Sequence, residues 1–383
     1  MRSLCPRALF VKVAKNATVR RFATEAAKVE DSVWSWNVKL SEYGRSGRVA
    51  DAKRTFDRME QRTVVSWNAL ITAFGRHGKC LEAAKSLFDR MPRWSGISWT
   101  VMIAAYGLRG QVEDSRKMLR TIPEPTFDAW GATIAACAQN DQKEQAFELL
   151  KLMDLEGMKP SQGTLSIVLS ACAKAGALRD GKLVHQSFLL AGEAPLDVVL
   201  GNALVHMYGK CGCLELAKNV FAELETPNTI SWSSLVAAYA RGSKGSSALE
   251  NFWKMRLEGN DLDQIAFTNI LSACSHGGLL RHGWTFFNSM VEDHCIAPTL
   301  EHFSCLIDLL GRIGQVDAAE DLLKSMPTKA DAASWRCLLG ACRSHNEVGI
   351  GTHAHGHAST MDSGDSSAYG LLSSIHRAET SFH

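Results

Sequence analysis

The chain has 383 residues, with 42 basic and 40 acidic side chains and 46% hydrophobic residues. That mix carries too much apolar material and too little net charge for a disordered chain. No apolar run reaches the roughly 18 residues of a membrane-spanning helix, and 11 cysteines scattered over this length are unlike a small secreted disulfide scaffold.

Residues 1–22 carry Arg2, Arg7, Lys12, Lys15, Arg20 and Arg21, and the first acid is Glu25. A basic, acid-free stretch with Ser and Ala between its charges reads as a mitochondrial or plastid transit peptide, and Arg21-Phe22-Ala23 is similar to a mitochondrial processing site. Without residues 1–22 the basic count falls from 42 to 36 against 40 acids, a net charge of about −4. A near-neutral body predicts weak non-specific attraction to nucleic acid and a shallow salt dependence.

From residue 33 the chain repeats itself every 31 to 36 residues. Trp36, Trp67, Trp99, Trp130, Trp232 and Trp335 stand in similar frames, and Leu165, Gly201, Phe267 and Phe303 fill the same slot elsewhere. Eleven residues later comes Gly47, Gly78, Gly110, Gly176, Gly212, Gly278 or Gly314; sixteen residues later comes Ala52, Ala83, Ala146, Ala217, Ala248 or Ala319. Each unit reads as two helices. Trp67, Leu70, Ile71 and Phe74 lie on one helical face, Gly78 suits the left-handed residue after a helix, and Ala83, Leu87, Phe88 and Met91 form a second stripe before Pro92. No unit can bury its apolar faces alone, so the expected fold is all-α, a solenoid superhelix of stacked helix-turn-helix units.

The place seven residues after the tryptophan holds Tyr43, Phe74, Tyr106, Tyr208 and Tyr239, but also Cys137, Cys172, Cys274 and Cys342. A slot shared by aromatic residues and cysteine is a packing slot, with reduced thiols. The tryptophans invite a base-stacking reading, but their place on the apolar face assigns them to the core.

Val64-Val-Ser-Trp-Asn-Ala-Leu-Ile71, Leu169-Ser-Ala-Cys-Ala-Lys-Ala-Gly176 and Asn202-Ala-Leu-Val-His-Met-Tyr-Gly-Lys-Cys-Gly212 resemble the plant pentatricopeptide repeat family, in its subclass of alternating standard, long and short units. The resemblance covers residues 33 to about 350. It divides the chain into nine repeats, 33–63, 64–95, 96–126, 127–161, 162–197, 198–228, 229–263, 264–299 and 300–331, followed by a divergent extension over 332–383 similar to the family's C-terminal E type. Residues 351–368, rich in Gly, Ser and His, read as a loop or a degraded helix.

The resemblance implies that the first helices hold single-stranded RNA, one base per repeat, with the fifth and last residues of each repeat choosing the base. An ionised Asp only accepts and favours the ring N–H of U or G, whereas Asn can also donate, to C or A. Asn37 with Thr63 then suggests a pyrimidine, Asn68 with Ser95 suggests C, and Thr100 with Thr126 leans purine. Gly131 with Ser161 is uninformative. Asn202 with Asn228 suggests C or U, and Ser233 with Asp263 and Ser304 with Asp331 each suggest G. The long repeats, with Ser166 and Asp197 or Thr268 and Thr299, follow this logic poorly in the subclass. The second residue commonly clamps the base face, a role that falls on Val65, Ile97, Val199, Ile230 and Ile265. The expected target is pyrimidine-C-purine-x-x-pyrimidine-G-x-G.

Relatives in the subclass often end in a cytidine deaminase-like domain, whose zinc chemistry needs His-x-Glu and Cys-x-x-Cys. His345-Asn346-Glu347 meets the first requirement, but no two cysteines are spaced x-x. His353, His355 and His357 read as a surface loop rather than a metal site. No phosphate-binding loop, dinucleotide fingerprint or nucleophile elbow is found. The expectation is therefore no catalytic residue, no metal and no cofactor. Three functions remain open: an organellar specificity factor for C-to-U editing with a deaminase in trans, an RNA stability, processing or splicing factor, and a protein-interaction scaffold of tetratricopeptide type.

Overall fold

The computed structural model describes residues 32–77, 81–192, 195–327, 329–361 and 369–375, which contain helices and turns and no strand. The helices come in antiparallel pairs: α1 (Val33–Arg45) with α2 (Val49–Arg58), α3 (Val64–His77) with α4 (Leu81–Asp89), α5 (Gly96–Leu108) with α6 (Val112–Thr121), and α7 (Phe127–Gln139) with α8 (Lys143–Leu155). Then follow α9 (Gln162–Ala175) with α10 (Leu178–Ala191), α11 (Val198–Lys210) with α12 (Leu214–Ala222), and α13 (Thr229–Arg241) with α14 (Gly245–Leu257). The last pairs are α15 (Gln264–Gly277) with α16 (Leu280–Glu292), α17 (Leu300–Arg312) with α18 (Val316–Ser325), and α19 (Ala332–His345) with α20 (Val348–Met361). The proposed transit segment and Gly78 lie outside the described residues. By internal contacts the chain divides into two units, Met1–Ala171 and Cys172–His383, with the boundary inside α9.

Local chemistry sets both ends of the first helices. Ser95, Thr126, Asp197, Asn228, Asp263 and Asp331 each cap the following helix by accepting the backbone N–H three residues on, at 2.7 to 3.3 Å. At the other end the chain reverses through a left-handed residue, and the next N–H bonds back to the carbonyl five residues earlier: Arg48 to Tyr43 at 2.9 Å, Cys213 to Tyr208 at 2.9 Å, Gln315 to Leu310 at 2.9 Å. Gly47, Gly212 and Gly314 take that conformation without steric cost. The glycine series is broken at three places, and the backbone does not change there: Asp141, Ser243 and Asn346 adopt φ of 58°, 54° and 59°. The stacking of helix pairs imposes the turn whatever residue occupies it.

Within each unit, first helices pack directly on the first helices of the next repeat, α1 on α3, α3 on α5 and α5 on α7, then α11 on α13, α13 on α15, α15 on α17 and α17 on α19. The second helices α2, α4, α6, α12, α14, α16 and α18 each wedge against the next first helix. Small residues make the first-helix layer possible. A Cβ on Gly75, Gly107, Gly209 or Gly311 would stand 2.5 to 2.7 Å from the Cβ of Ala105, Ala136, Ala238 or Ala341. Ala52, Ala146, Ala217, Ala248 and Ala319 are fully buried in the second helices. In the second repeat the buried residue is Ala84, while Ala83 is only half-buried. The spacing of sixteen fails there because this repeat carries one more residue than the 31 of its neighbours.

The tryptophan slot is a core slot. Trp67 meets Phe56 edge-on at 4.8 Å, Trp99 meets Phe88 at 5.0 Å and Trp232 meets Phe221 at 4.7 Å, each pair joining a repeat to the one before. Cys137, Cys172, Cys274 and Cys342 are completely buried and form no disulfide. Burial pushes Cys137 and Cys342 up to about 11 and Cys274 to about 12, so these thiols stay protonated and inert.

Of the two readings of the C-terminal segment, loop or degraded helix, the structure bears out a helix: residues 351–361 form most of α20, and the surface-loop reading of His353, His355 and His357 is corrected. Gly351, Ala354 and Ala358 are buried against Leu339, Cys342 and Ile375, the last from a short helix over 369–375. Small residues that suggested a flexible stretch are there because α20 lies close to its neighbours. His353 bonds Glu320 at 2.7 Å, and His357 stacks on Trp335 at 4.2 Å, which places both on a packed helix face. His345-Asn346-Glu347 forms the tight turn from α19 to α20, with Asn346 as its left-handed residue.

Candidate nucleic-acid interface

The layer of first helices brings the three selected places of each repeat into a common setting. The second residues are apolar and yet exposed: Val65, Ile97, Val199, Ile230 and Ile265 are 58 to 63% exposed. A core would bury them, so the register that hides the tryptophans presents these side chains outward. Trp34 holds the same place in the first repeat and is 70% exposed. Sequence reasoning passed over it because Trp36, two residues on, fills the core slot; counting back from Trp36 would have found it.

The fifth residues lie between adjacent first helices. Asn68, Asn202 and Ser233 are buried, and Asn37, Thr100 and Ser304 are half-buried. In each of the first three a side-chain oxygen is enclosed without a hydrogen-bond partner in the protein: Asn68 Oδ1, Asn202 Oδ1 and Ser233 Oγ. Buried polar atoms are almost always paired, because an unmet one costs on the order of 1–3 kcal/mol. Thr100 differs: its hydroxyl donates to the Gly96 carbonyl at 2.9 Å.

The last residues turn out to have a second role that sequence spacing did not reveal. Each directly precedes the next first helix, so Ser95, Thr126, Asn228, Asp263 and Asp331 are the caps described above. In the first, sixth and ninth repeats the last residue is joined to the fifth, either directly or through the third residue of the following repeat. Ser66 donates to Asn37 Oδ1 at 2.7 Å and lies 3.2 Å from the Thr63 hydroxyl. Asn202 Nδ2 donates to Asn228 Oδ1 at 3.3 Å, and that oxygen also takes the Ser231 N–H and hydroxyl. Ser304 and Ser334 hydroxyls lie 3.4 Å apart, and Ser334 donates to Asp331 at 2.7 Å. The Ser334 hydroxyl and N–H beside Asp331 hold its carboxyl below the usual carboxylate range, so it remains an acceptor.

Gly131 has no side chain to offer, and the Thr164 hydroxyl stands 3.2 Å from where its Cβ would be. Among the described residues no group of three His, Cys, Asp or Glu side chains could hold a metal ion. Within each unit the arrangement offers exposed apolar faces beside buried donors and acceptors, once per repeat. That suits flat, hydrogen-bonding ligands repeated along a chain.

Comparison with known proteins agrees with the repeat pattern. The family model for the PPR repeat matches residues 34–64, 65–95, 97–124, 128–158, 202–226, 230–260, 265–295 and 301–329. A mitochondrial pentatricopeptide repeat-containing protein of Arabidopsis thaliana is 34% identical over 265 residues, 69% of this chain and 47% of that protein. A second mitochondrial protein of the same plant is 38% identical over 64% of this chain and 39% of its own length, and a chloroplastic one is 36% identical over 69% and 31%. The chain thus spans a third to a half of the length of these relatives. Among solved structures, the pentatricopeptide repeat protein PPR10, bound to an 18-nucleotide psaJ RNA element, superposes with a TM-score of 0.67 at 18% identity. That match covers 93% of this chain and 60% of the other, and it establishes the solenoid fold.

Proposed function

The chain belongs to the pentatricopeptide repeat family, and from that premise we propose that it binds single-stranded RNA by sequence in an organelle. The observation that carries this reading is the set of buried, unpartnered oxygens on Asn68, Asn202 and Ser233, each beside an exposed aliphatic at the second place. A stacked base would cover the aliphatic and bring a hydrogen-bonding edge to the fifth and last residues. The RNA in the PPR10 complex supports the ligand class. The base-contacting residues are Asn37 with Thr63, Asn68 with Ser95, Thr100 with Thr126, Asn202 with Asn228, Ser233 with Asp263, and Ser304 with Asp331. Val65, Ile97, Val199, Ile230 and Ile265 are the clamps, and Trp34 joins them.

The finer reading is a specificity factor for C-to-U editing, with the extension over 332–383 meeting a deaminase-domain protein. The organelle is the mitochondrion, in keeping with the basic residues 1–22 and with the names of two relatives. Binding selection from randomised RNA tests the core of the proposal: it should enrich C opposite the second repeat and G opposite the seventh and ninth. A pool that stays random at those places would refute it. Deleting the gene and sequencing mitochondrial transcripts tests the finer part, where a C that is no longer converted identifies editing. Altered transcript ends with every edited site intact would instead mark a processing or stability factor.

A further inference from the structure

Asparagine at the last place of a repeat is ambiguous as a reader, because one end of its amide accepts and the other donates. The structure removes that ambiguity at Asn228. Its Oδ1 accepts the Ser231 N–H at 3.0 Å, the Ser231 hydroxyl at 3.1 Å and Asn202 Nδ2 at 3.3 Å. The Ser231 hydroxyl has its hydrogen free to give, because its own lone pair takes the Asn228 N–H at 3.0 Å. Ser231 is completely buried, so this exchange is shielded from water. A backbone N–H can only donate. Turning the amide over would set Nδ2 against that N–H and against Asn202 Nδ2, and donors would face donors. The cap therefore uses the oxygen, and the Nδ2 end is the one it leaves over.

We propose that Ser231 is a positioning residue for base choice: by holding the Asn228 oxygen in the cap of α13, it presents the amide nitrogen to the RNA, and the repeat takes cytosine over uracil. Cytosine carries an acceptor at ring N3, where uracil carries a hydrogen. This inference rests on the RNA-binding reading above and sharpens the choice of C or U left open for Asn202 with Asn228. The same architecture supplies its own control. At Asp331 the Ser334 N–H and hydroxyl also engage one oxygen, Oδ1, at 2.8 and 2.7 Å. Both ends of an ionised carboxylate are acceptors, so locking one leaves the same chemistry at the other. Ser334 steadies Asp331 without deciding what it reads.

The test is a competition between two RNAs that differ only by C or U opposite the sixth repeat, with the full chain. The unaltered protein should prefer C. Ser231→Ala should lower the C-to-U affinity ratio about fivefold, the equivalent of one hydrogen bond. Ser231→Thr should restore the ratio, since Thr164 occupies this place after Ser161 and is accommodated there. Ser334→Ala should leave the preference for G opposite the ninth repeat unchanged, even if overall affinity falls. Should the alanine variant fail to fold, Ser231→Cys, close in volume and a weak donor, gives the same readout. A C-to-U ratio that does not move in the Ser231 variant, with RNA still bound, overturns this inference alone; a protein that binds no RNA overturns it together with the proposed function.

Discussion

Repeats 33–63 and 198–228 carry the same residue at the fifth place and use it in opposite ways. Asn37 has its oxygen engaged by Ser66, whereas Asn202 gives its Nδ2 to Asn228 and keeps its oxygen unpartnered. The difference lies at the last place: the Thr63 hydroxyl sits beside Ser66, which gives its hydrogen to Asn37, whereas Asn228 presents an amide oxygen that draws donors. The two repeats differ in packing too. A Cβ on Gly44 would meet Ala73 Cβ at 3.2 Å, but on Gly209 it would meet Ala238 Cβ at 2.6 Å and Arg241 Nη2 at 3.4 Å. Tyr43 is half-buried under the Arg48 guanidinium, while Tyr208 is buried and bonded to His185 at 2.9 Å. One residue pattern thus produces a looser first described repeat and a tighter sixth one, and what a side chain can do follows from the repeat after it.

The largest contrast is expected in RNA affinity. Trp34→Ala should cost about 2 kcal/mol, more than tenfold, by the usual worth of an aromatic stacked on a base, and Val199→Ala less than about 1 kcal/mol. Equal losses in a filter-binding titration would remove Trp34 from the interface.

Packing comes next. Adding a methyl gains about 1 kcal/mol of helix propensity at either glycine. At Gly209 an overpacking cost of about 1–3 kcal/mol outweighs it, because Ala238 belongs to a neighbouring helix that cannot yield. Thermal denaturation should show Gly209→Ala destabilised and Gly44→Ala unchanged or slightly stabilised. A lowered melting temperature for Gly44→Ala alone would reverse the comparison.

A smaller effect is expected at the tyrosines. Tyr208→Phe gives up the bond to His185 and should cost about 1 kcal/mol, whereas Tyr43→Phe keeps the ring under Arg48 and should cost nothing measurable. Hydrogen exchange on α11 against α1 would read this locally.

The gentlest probe is acid. Burial lowers the pKa of both His185 and His206, with Arg241 and Lys210 adding to the effect at His206. Each binds a proton more readily unfolded than folded, so stability is full above about pH 6.5, the ordinary histidine value, and falls as the pH drops through it. In the first repeat the lowered group is Asp51, held by its hydrogen bond to Arg48, and it responds only near and below pH 3.8. Between pH 7 and 5 the region of α10 and α11 should loosen while α1 and α2 do not.

Much of the fold was legible because one constraint recurs. Trp67, Leu70 and Ile71 had to share a face, and a unit that cannot close its own core must stack. The exposure of the second residues goes with the same register, two places before the core slot. Other features were hidden for equally physical reasons. Ala84 replaced Ala83 because one inserted residue shifts a helix by 100° about its axis. The stretch from Gly351 to Ala358 read as either a loop or a degraded helix because small residues mark both flexible chain and close helix contacts. Asp141, Ser243 and Asn346 gave no sign of a left-handed turn, since nothing local requires it of them.

The sequence by itself determined the period, the helix pairs and the buried stripe, because these follow from the repeat length and from 3.6 residues per helical turn; the second, fifth and last places came from the family resemblance its motifs carry. Only the tertiary structure decided which atom of each residue is free. The last residue of one repeat is the cap of the next helix, and the fifth residue meets partners 26 to 30 residues further along the chain. A hydrogen bond spent in the cap is not available to a ligand, and no spacing along the chain records which end of an amide was spent.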